Sequence, residues 1–232
     1  MRPANTSILV AHGSLFALLV AMLVAFAGPW PIIHGFPLDD AWIHQVVART
    51  FAETGTLGYS AGQHGAGATS YLWAALLAVN YRFFHADPVT YTLALNVCLF
   101  LGSGHALLAM SLRGCPGDGP ASQLRVAGMV AIVSLACFGG NYLWYTYSGM
   151  EASLVVFLSL LSILLFSCET TRRHAFAVGA GAAAGALALT RPEAAALGPL
   201  LAVAGFREKR TRRELLLLLA PWVGAVLLYC TW

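Results

Sequence analysis

Apolar residues fall along this chain in long runs rather than at the spacing of an amphipathic surface helix, and short polar intervals separate them. About 20 consecutive apolar residues are what an α-helix needs to cross the hydrocarbon core of a bilayer. On that criterion the sequence predicts seven spans, over 8–27, 89–112, 126–144, 152–168, 175–190, 194–206 and 215–232. The sixth is short and is expected to be tilted or broken. The first run follows Arg2 and lacks a small-x-small cleavage site, so it reads as a retained helix and not a signal peptide. Between the first two spans lies a mixed segment, 28–88, containing prolines, many glycines and most of the histidines. Within it, 71–84 is apolar but only about two-thirds of a span, and Arg82, His85 and Asp87 close it off. It is expected to lie at the interface or re-enter rather than cross. Upstream, Pro37 followed by Trp42, Ile43, Val46, Val47 and Phe51 predicts a short amphipathic helix at the membrane surface. The expected fold is all-α: a polytopic transmembrane helical bundle of about seven spans, a single transmembrane domain over 1–232 with juxtamembrane helices in the first outer loop.

Composition strengthens this picture. Hydrophobic residues make up 59% of the chain and charged residues 10%, where a soluble domain carries about 25% charged. The mean hydropathy is +0.73. A chain this apolar cannot cover its own surface with polar groups, so lipid must do it. The net charge of +3 is small, and no run of Lys and Arg interleaved with aromatics marks a nucleic-acid groove. Charge placement sets orientation. With the N-terminus inside and 71–84 not crossing, ten of the thirteen basic residues are cytoplasmic: Arg2, Arg113, Arg125, Arg172, Arg173, Arg207, Lys209, Arg210, Arg212 and Arg213. An outside N-terminus with 71–84 crossing keeps nine of them inside, but separates Asp39 and Asp40 from Glu151 and Arg191. The first arrangement is preferred, because 71–84 is short and Arg82 would be stranded in it. The chain stops inside an apolar stretch, at Tyr229-Cys230-Thr231-Trp232, and is expected to be the N-terminal part of a longer protein.

Candidate chemistry lies mostly in the outer segments. The densest polar cluster runs from Leu38-Asp39-Asp40-Ala41-Trp42 through His44 to Arg49. An Asp at a helix start is comfortable electrostatically, and on that structural reading one carboxylate caps and the other is solvated. Adjacent carboxylates are equally what a general base or a metal site uses. Glu151 closes Tyr145-Thr146-Tyr147-Ser148-Gly149-Met150 and opens the fourth span. Arg191, in Leu189-Thr190-Arg191-Pro192-Glu193, runs against the charge bias of its face; pairing with Glu151 or Glu193 and holding a phosphate are the two readings. His34, His44, His64 and His85 match no zinc spacing and read as interfacial hydrogen-bonders, while His105 reads as a packed interhelical one. Cys98, Cys115, Cys137, Cys168 and Cys230 show no CxxC or zinc pattern. The Gly-Ala run at 178–188 permits close helix packing and is not a nucleotide loop, having no Lys and no preceding strand.

Together these features resemble the GT-C superfamily of integral-membrane glycosyltransferases, in particular bacterial members of the protein-mannosyltransferase and arabinofuranosyltransferase type. The matching residues are Leu38-Asp39-Asp40-Ala41-Trp42 with Ala48-Arg49 and Gly55, then Gly67-Ala68-Thr69-Ser70-Tyr71-Leu72-Trp73, then Ser148-Gly149-Met150-Glu151, then Leu189-Thr190-Arg191-Pro192-Glu193. Their order and approximate spacing correspond to the N-terminal half of a typical member. Where some relatives carry proline after the Thr-Ser pair, this chain has Tyr71.

The resemblance implies an inverting transfer of sugar from a polyprenyl-phosphate donor to a hydroxyl of a cell-envelope glycan or protein. The site would lie on the extracytoplasmic face of the bacterial plasma membrane, with the bilayer itself as a partner and no nucleic acid. By the same resemblance Asp39 would be the general base and Asp40 would orient the acceptor or a divalent metal. Glu151 would bind acceptor or donor sugar, and Arg191 would neutralise the leaving phosphate. His44, Arg49 and Ser70 would complete the substrate-binding set. Two other classes fit the composition. A transporter or flippase suits charges at a cavity mouth and a broken span at Arg191-Pro192, although the halves show no inverted repeat. A non-catalytic assembly subunit would use the outer segment for docking.

Overall fold

The computed structural model describes residues 4–27, 35–62, 69–113, 120–168 and 173–231. His34, His64, Gly67, Ala68, Arg2, Cys115 and Arg172 lie outside the described residues. Among the described residues the chain is all-helical and forms ten α-helices. They are α1 (Ala4–Ala27), α2 (Asp39–Thr54), α3 (Tyr71–Val79), α4 (Pro88–Ser111), α5 (Pro120–Phe138), α6 (Gly140–Tyr147), α7 (Ala152–Phe166), α8 (Arg173–Thr190), α9 (Leu197–Arg207) and α10 (Arg212–Thr231).

Three of these are long and apolar enough to cross a membrane: Ser7–Phe26 within α1, α4 and α10. A fourth is gained if α5 and α6 are taken as one span bent by 61°. That bend divides the predicted span 126–144, and it falls at Gly139-Gly140, where two residues of poor helix propensity meet. The apolar α7 has only 15 residues. The side chains that face outward on these helices, such as Leu9, Val24, Leu135 and Leu216, and Phe206 on α9, are largely exposed apolar groups, which water would not cover.

Local sequence explains where the helices start and stop. Asp87 caps α4, accepting from the Thr90 amide and from its hydroxyl, each at 2.8 Å, and Pro88 supplies the pre-set first position. The Thr90 amide holds the Asp87 carboxyl below the usual carboxylate range. Removing this cap with Asp87→Ala is expected to cost about 1 kcal/mol at neutral pH. Because the folded-state carboxyl is depressed, the contribution is complete above the unfolded value and fades as pH falls through the folded one. Thermal melts at pH 7 and pH 3 check this: the deficit should be full in the first and smaller in the second. After α3 the chain makes a π-helical turn, Asn80–Phe84, and His85 turns it back at φ 51°. The buried Asn80 amide clamps that turn, donating to the Ala86 carbonyl and accepting from its N–H, both at 3.0 Å.

Among the described residues packing divides into three larger apolar clusters and a small fourth, Val47 with Ala74, between α2 and α3. Leu15, Leu19, Phe100, Leu108, Val133 and Leu143 join α1, α4, α5 and α6. Ala48, Trp73, Leu77, Leu154, Leu158 and Leu187 join α2, α3, α7 and α8. Phe166, Ala180, Leu201 and Leu218 join α7 through α10. In the first, His12 and His105 meet across α1 and α4 with their Nδ1 atoms 2.9 Å apart, so His105 is an interhelical hydrogen-bonder. α8 is the centre of the bundle, flanked by α7 and α10. Its small side chains let the neighbours approach: a Cβ on Gly181 would collide with the Leu218 carbonyl of α10, and one on Gly185 would sit 3.0 Å from the Pro221 carbonyl.

The bundle has two chemically different ends. At one, Arg113 closes α4 and donates to Ser167 and Cys168 beyond α7. Arg210, before α10, donates to the Phe166 carbonyl at 2.6 Å. Arg173, Arg207, Lys209, Arg212 and Arg213 share this end by their places at the start of α8, the end of α9 and the start of α10. At the other end lie α2, the start of α4, the turn before α7 and the end of α8. Segment 71–84 enters and leaves at this second end: Tyr71 stacks on Tyr229 of α10, and Tyr81 donates to Gln45 of α2 at 3.0 Å. α2 therefore shares an end with Glu151 and Arg191, the arrangement expected if 71–84 does not cross.

Candidate functional site

α2 is amphipathic, and its buried side carries the polar chemistry. Ala41, His44, Gln45, Val47 and Ala48 face inward, at the spacing of one helical face. Trp42 and Arg49 are exposed. Asp39 and Asp40 occupy the first turn, where the helix dipole favours negative charge, and both are exposed. Neither is the cap; Leu38 is, without a side-chain bond. Successive helical residues point about 100° apart, so the two carboxylates do not form a metal cage by themselves. Among the described residues no three His, Cys, Asp or Glu side chains gather to hold an ion.

The turn between α6 and α7 is shaped to receive α2. Gly149 adopts φ 81°, open to glycine but strained for other residues. A Cβ there would lie 2.9 Å from the Ala41 methyl and closer still to the Phe36 ring. Ser148 accepts from the Met150 amide at 3.2 Å, and Asn96 of α4 donates to the Met150 carbonyl at 3.1 Å. This bracing presents Glu151 to the interior.

Arg191 arrives from the opposite wall. Pro192 disfavours helical geometry at the residue before it, and Arg191 is extended at φ −144°. α8 ends there, a short 3₁₀ turn follows (Pro192–Ala196), and the guanidinium swings out toward α2.

Glu151 is the meeting point. Its side chain is 1% exposed; Oε1 pairs with Arg191 Nη2, and Oε2 lies 3.3 Å from His44 Nε2. The His44 approach is close enough for attraction yet poorly aligned, leaving Oε2 and the ring's other nitrogen, Nδ1, without a hydrogen-bond partner. Burial pushes the Glu151 carboxyl up, but His44, and then Arg191, more than offset this and hold it below the usual range. Arg191 is 38% exposed and also reaches Glu193 at 3.4 Å. Two of its five N–H donors are thus engaged, and the others remain for an incoming group.

Around this trio lies a layer of buried polar groups. Gln45 donates to Thr92 at 2.8 Å. Ser70 Oγ, Trp73 Nε1 and Asn96 Oδ1 are buried without partners. A buried polar atom left unsatisfied costs on the order of 1–3 kcal/mol, so each of these is a candidate for a partner that the protein itself does not supply; Ser134 and Tyr142 are two more, in α5 and α6. An apolar slot of about 150 Å³ is lined by residues close in sequence to Ser70 and Arg191: Phe51, Leu57, Tyr71, Leu72, Leu189 and Leu228 among others. Tyr71 follows Ser70, and Leu189 stands two residues before Arg191.

The structure thus brings together His44, Glu151 and Arg191, and buries Ser70 at the start of α3. Asp39, Asp40 and Arg49 remain on the exposed parts of α2. Sequence reasoning passed over Gln45, Thr92, Asn96 and Tyr81. The available signal was Thr92 and Asn96, two polar residues four apart on one face of an otherwise apolar span. Comparison with protein-family models, curated proteins and solved structures gives no match.

Proposed function

We propose that this chain is a membrane glycosyltransferase module that takes sugar from a polyprenyl phosphate and gives it to a hydroxyl acceptor. The observation that carries this reading is Glu151: one buried carboxylate joins His44 of α2 to Arg191 at the end of α8, uniting three separate sequence motifs. Each part has a use in that chemistry. Arg191 keeps N–H donors for an anion while Glu151 fixes its position, as a leaving phosphate requires. The apolar slot that Leu189 helps to line, two residues before Arg191, suits the first part of a lipid chain whose phosphate lies at Arg191. Asp39 and Asp40, exposed on the first turn of α2, stand at the mouth and bind the acceptor or a cation that accompanies it. Arg49 and Ser70 belong to the same substrate region.

In this reading the bundle has about seven spans. α7, α8 and α9 join the three longer helices and the bent α5–α6 pair; α7 and α8 bury much of their length against neighbours, while α9 turns Leu200, Val203 and Phe206 outward to lipid. The cationic end is cytoplasmic and the Glu151 end extracytoplasmic, in a bacterial plasma membrane. Transport is the second reading, favoured by the break in α8 at Arg191-Pro192.

Native mass spectrometry of the purified protein tests the donor. The wild-type chain is expected to retain a polyprenyl phosphate or its sugar conjugate, and Arg191→Gln to lose it while eluting and melting as a folded protein. Bulk phospholipid alone in both samples would turn the assignment toward transport or assembly.

A further inference from the structure

Three features of the Glu151 end point to a role for His44 that its position in the sequence does not reveal. The ring is buried, at 7% exposure, against a carboxylate that is itself buried. Its Nε2 lies 3.3 Å from Glu151 Oε2, and the attraction of that carboxylate favours the tautomer with the proton on Nε2 and the lone pair on Nδ1. Nδ1 is then a buried acceptor with no partner in the protein. A carboxylate that orients an imidazole from one nitrogen and leaves the other free is the arrangement that prepares a histidine to take a proton. Asp39, by contrast, is exposed on the first turn of α2, and five helical residues carry it well round the axis from His44. Asp40 lies one turn before His44 on the same face, so the exposed carboxylate and the buried imidazole follow one line from the surface inward.

We propose that His44 Nδ1 is the proton acceptor of the transfer reaction and that Glu151 is the residue that positions it. This rests on the lipid-phosphate reading above. As the acceptor oxygen bonds to the anomeric carbon, its hydroxyl proton passes to Nδ1. The bond from that carbon to the phosphate oxygen breaks, and the phosphate keeps the electron pair, facing Arg191. The imidazolium so formed lies against the Glu151 carboxylate, which stabilises it. Asp40 holds the acceptor at the mouth, and Asp39 is not the base.

The test uses the full chain in nanodiscs, with a panel of synthetic farnesylphosphoryl hexoses, pentoses and amino sugars. Simple alkyl glycosides serve as acceptors, and release of farnesyl phosphate is read. His44→Ala is expected to lower kcat at least about 100-fold, with the donor KM within about twofold of wild type. Added imidazole should restore at least a tenth of the lost rate, filling the space the ring vacates. Asp39→Asn should fall by less than about tenfold. Full kcat in His44→Ala overturns the inference, as does a loss that imidazole leaves untouched in a variant that still binds farnesyl phosphate. A larger loss in Asp39→Asn than in His44→Ala also overturns it, and leaves the glycosyltransferase reading standing. A wild-type chain that binds no farnesyl phosphate and turns over no sugar removes both. Histidine-selective ¹⁵N spectra, assigned with His44→Gln, give a check independent of turnover: a proton on Nδ1 rather than Nε2 overturns the assignment.

Discussion

Arg191→Met is expected to destabilise the protein by about 2 kcal/mol at pH 7 and by much less at pH 4. Removing one partner of a fully buried ion pair costs about 3–5 kcal/mol, because the other charge is left uncompensated. Arg191 is 38% exposed, so solvent screens part of its attraction, and His44 remains beside the carboxylate; both considerations lower the figure. The pH dependence follows from Glu151. Burial raises its carboxyl, while His44 and Arg191 together hold it below the ordinary range. In the wild type, stability from this group is complete above the unfolded carboxylate value and is lost as pH falls through the depressed folded value. Without Arg191 burial gains ground and the carboxyl moves up, so the variant carries a poorly compensated charge at pH 7. Near pH 4 and below, protonation removes that burden and the two proteins converge. Thermal unfolding in detergent at the two pH values measures this. An equal deficit at both would mean that the arginine stabilises through its packing and not through Glu151.

Gly181→Ala is expected to cost about 3 kcal/mol, or to prevent recovery of folded protein. A Cβ at this position is aimed at the Leu218 carbonyl at a separation no real contact reaches. Backbone cannot give way as the tip of a long side chain can, so α10 must shift away from α8 along much of its length. Overpacking of a tight interface costs about 1–3 kcal/mol, and the backbone partner puts this case at the upper end. Gly224→Ala is the comparison. It lies on α10 with nothing within 4 Å of its added methyl, so helix propensity alone acts, and it should be neutral or stabilising by up to about 1 kcal/mol. Heating each variant in detergent and measuring the folded fraction by size exclusion separates them. Similar behaviour in both would remove the steric argument.

The long helices were legible because a bilayer imposes one requirement, a sustained apolar run, and α1, α4 and α10 meet it directly. α2 was legible as a short helix from Trp42, Ile43, Val46, Val47 and Phe51. The face it buries is a different one, Ala41, His44, Gln45, Val47 and Ala48, because a helix packed on other helices buries small and polar groups that hydrophobicity alone does not mark. The bend at Gly139 was not read, although two adjacent glycines marked it; an apolar run gives no weight to a hinge. At the site, the sequence exposed the reactive types but not their burial. Asp39 and Asp40 drew attention as an acidic pair, yet the first turn of a surface helix leaves them exposed. Glu151 with Arg191 was one of the pairings open to sequence reasoning. His44 with Glu151 was not, because the contact depends on Gly149 admitting α2 to the turn before α7, and nothing local to His44 announces it.

The seam between α8 and α10 also bears on how the protein is made. α8 leaves the ribosome before α10, and its alanines and glycines partition into hydrocarbon only weakly. Its most extensive partner has not yet been synthesised at that moment. On the proposed seven-span reading, the helix must therefore wait, sheltered by α7 or by the insertion machinery, until α10 arrives to close over the glycine face. Biogenesis of this bundle thus has a late committing step, and substitutions along α10 that leave the finished fold tolerable can still fail by arriving at a partner that has already been lost.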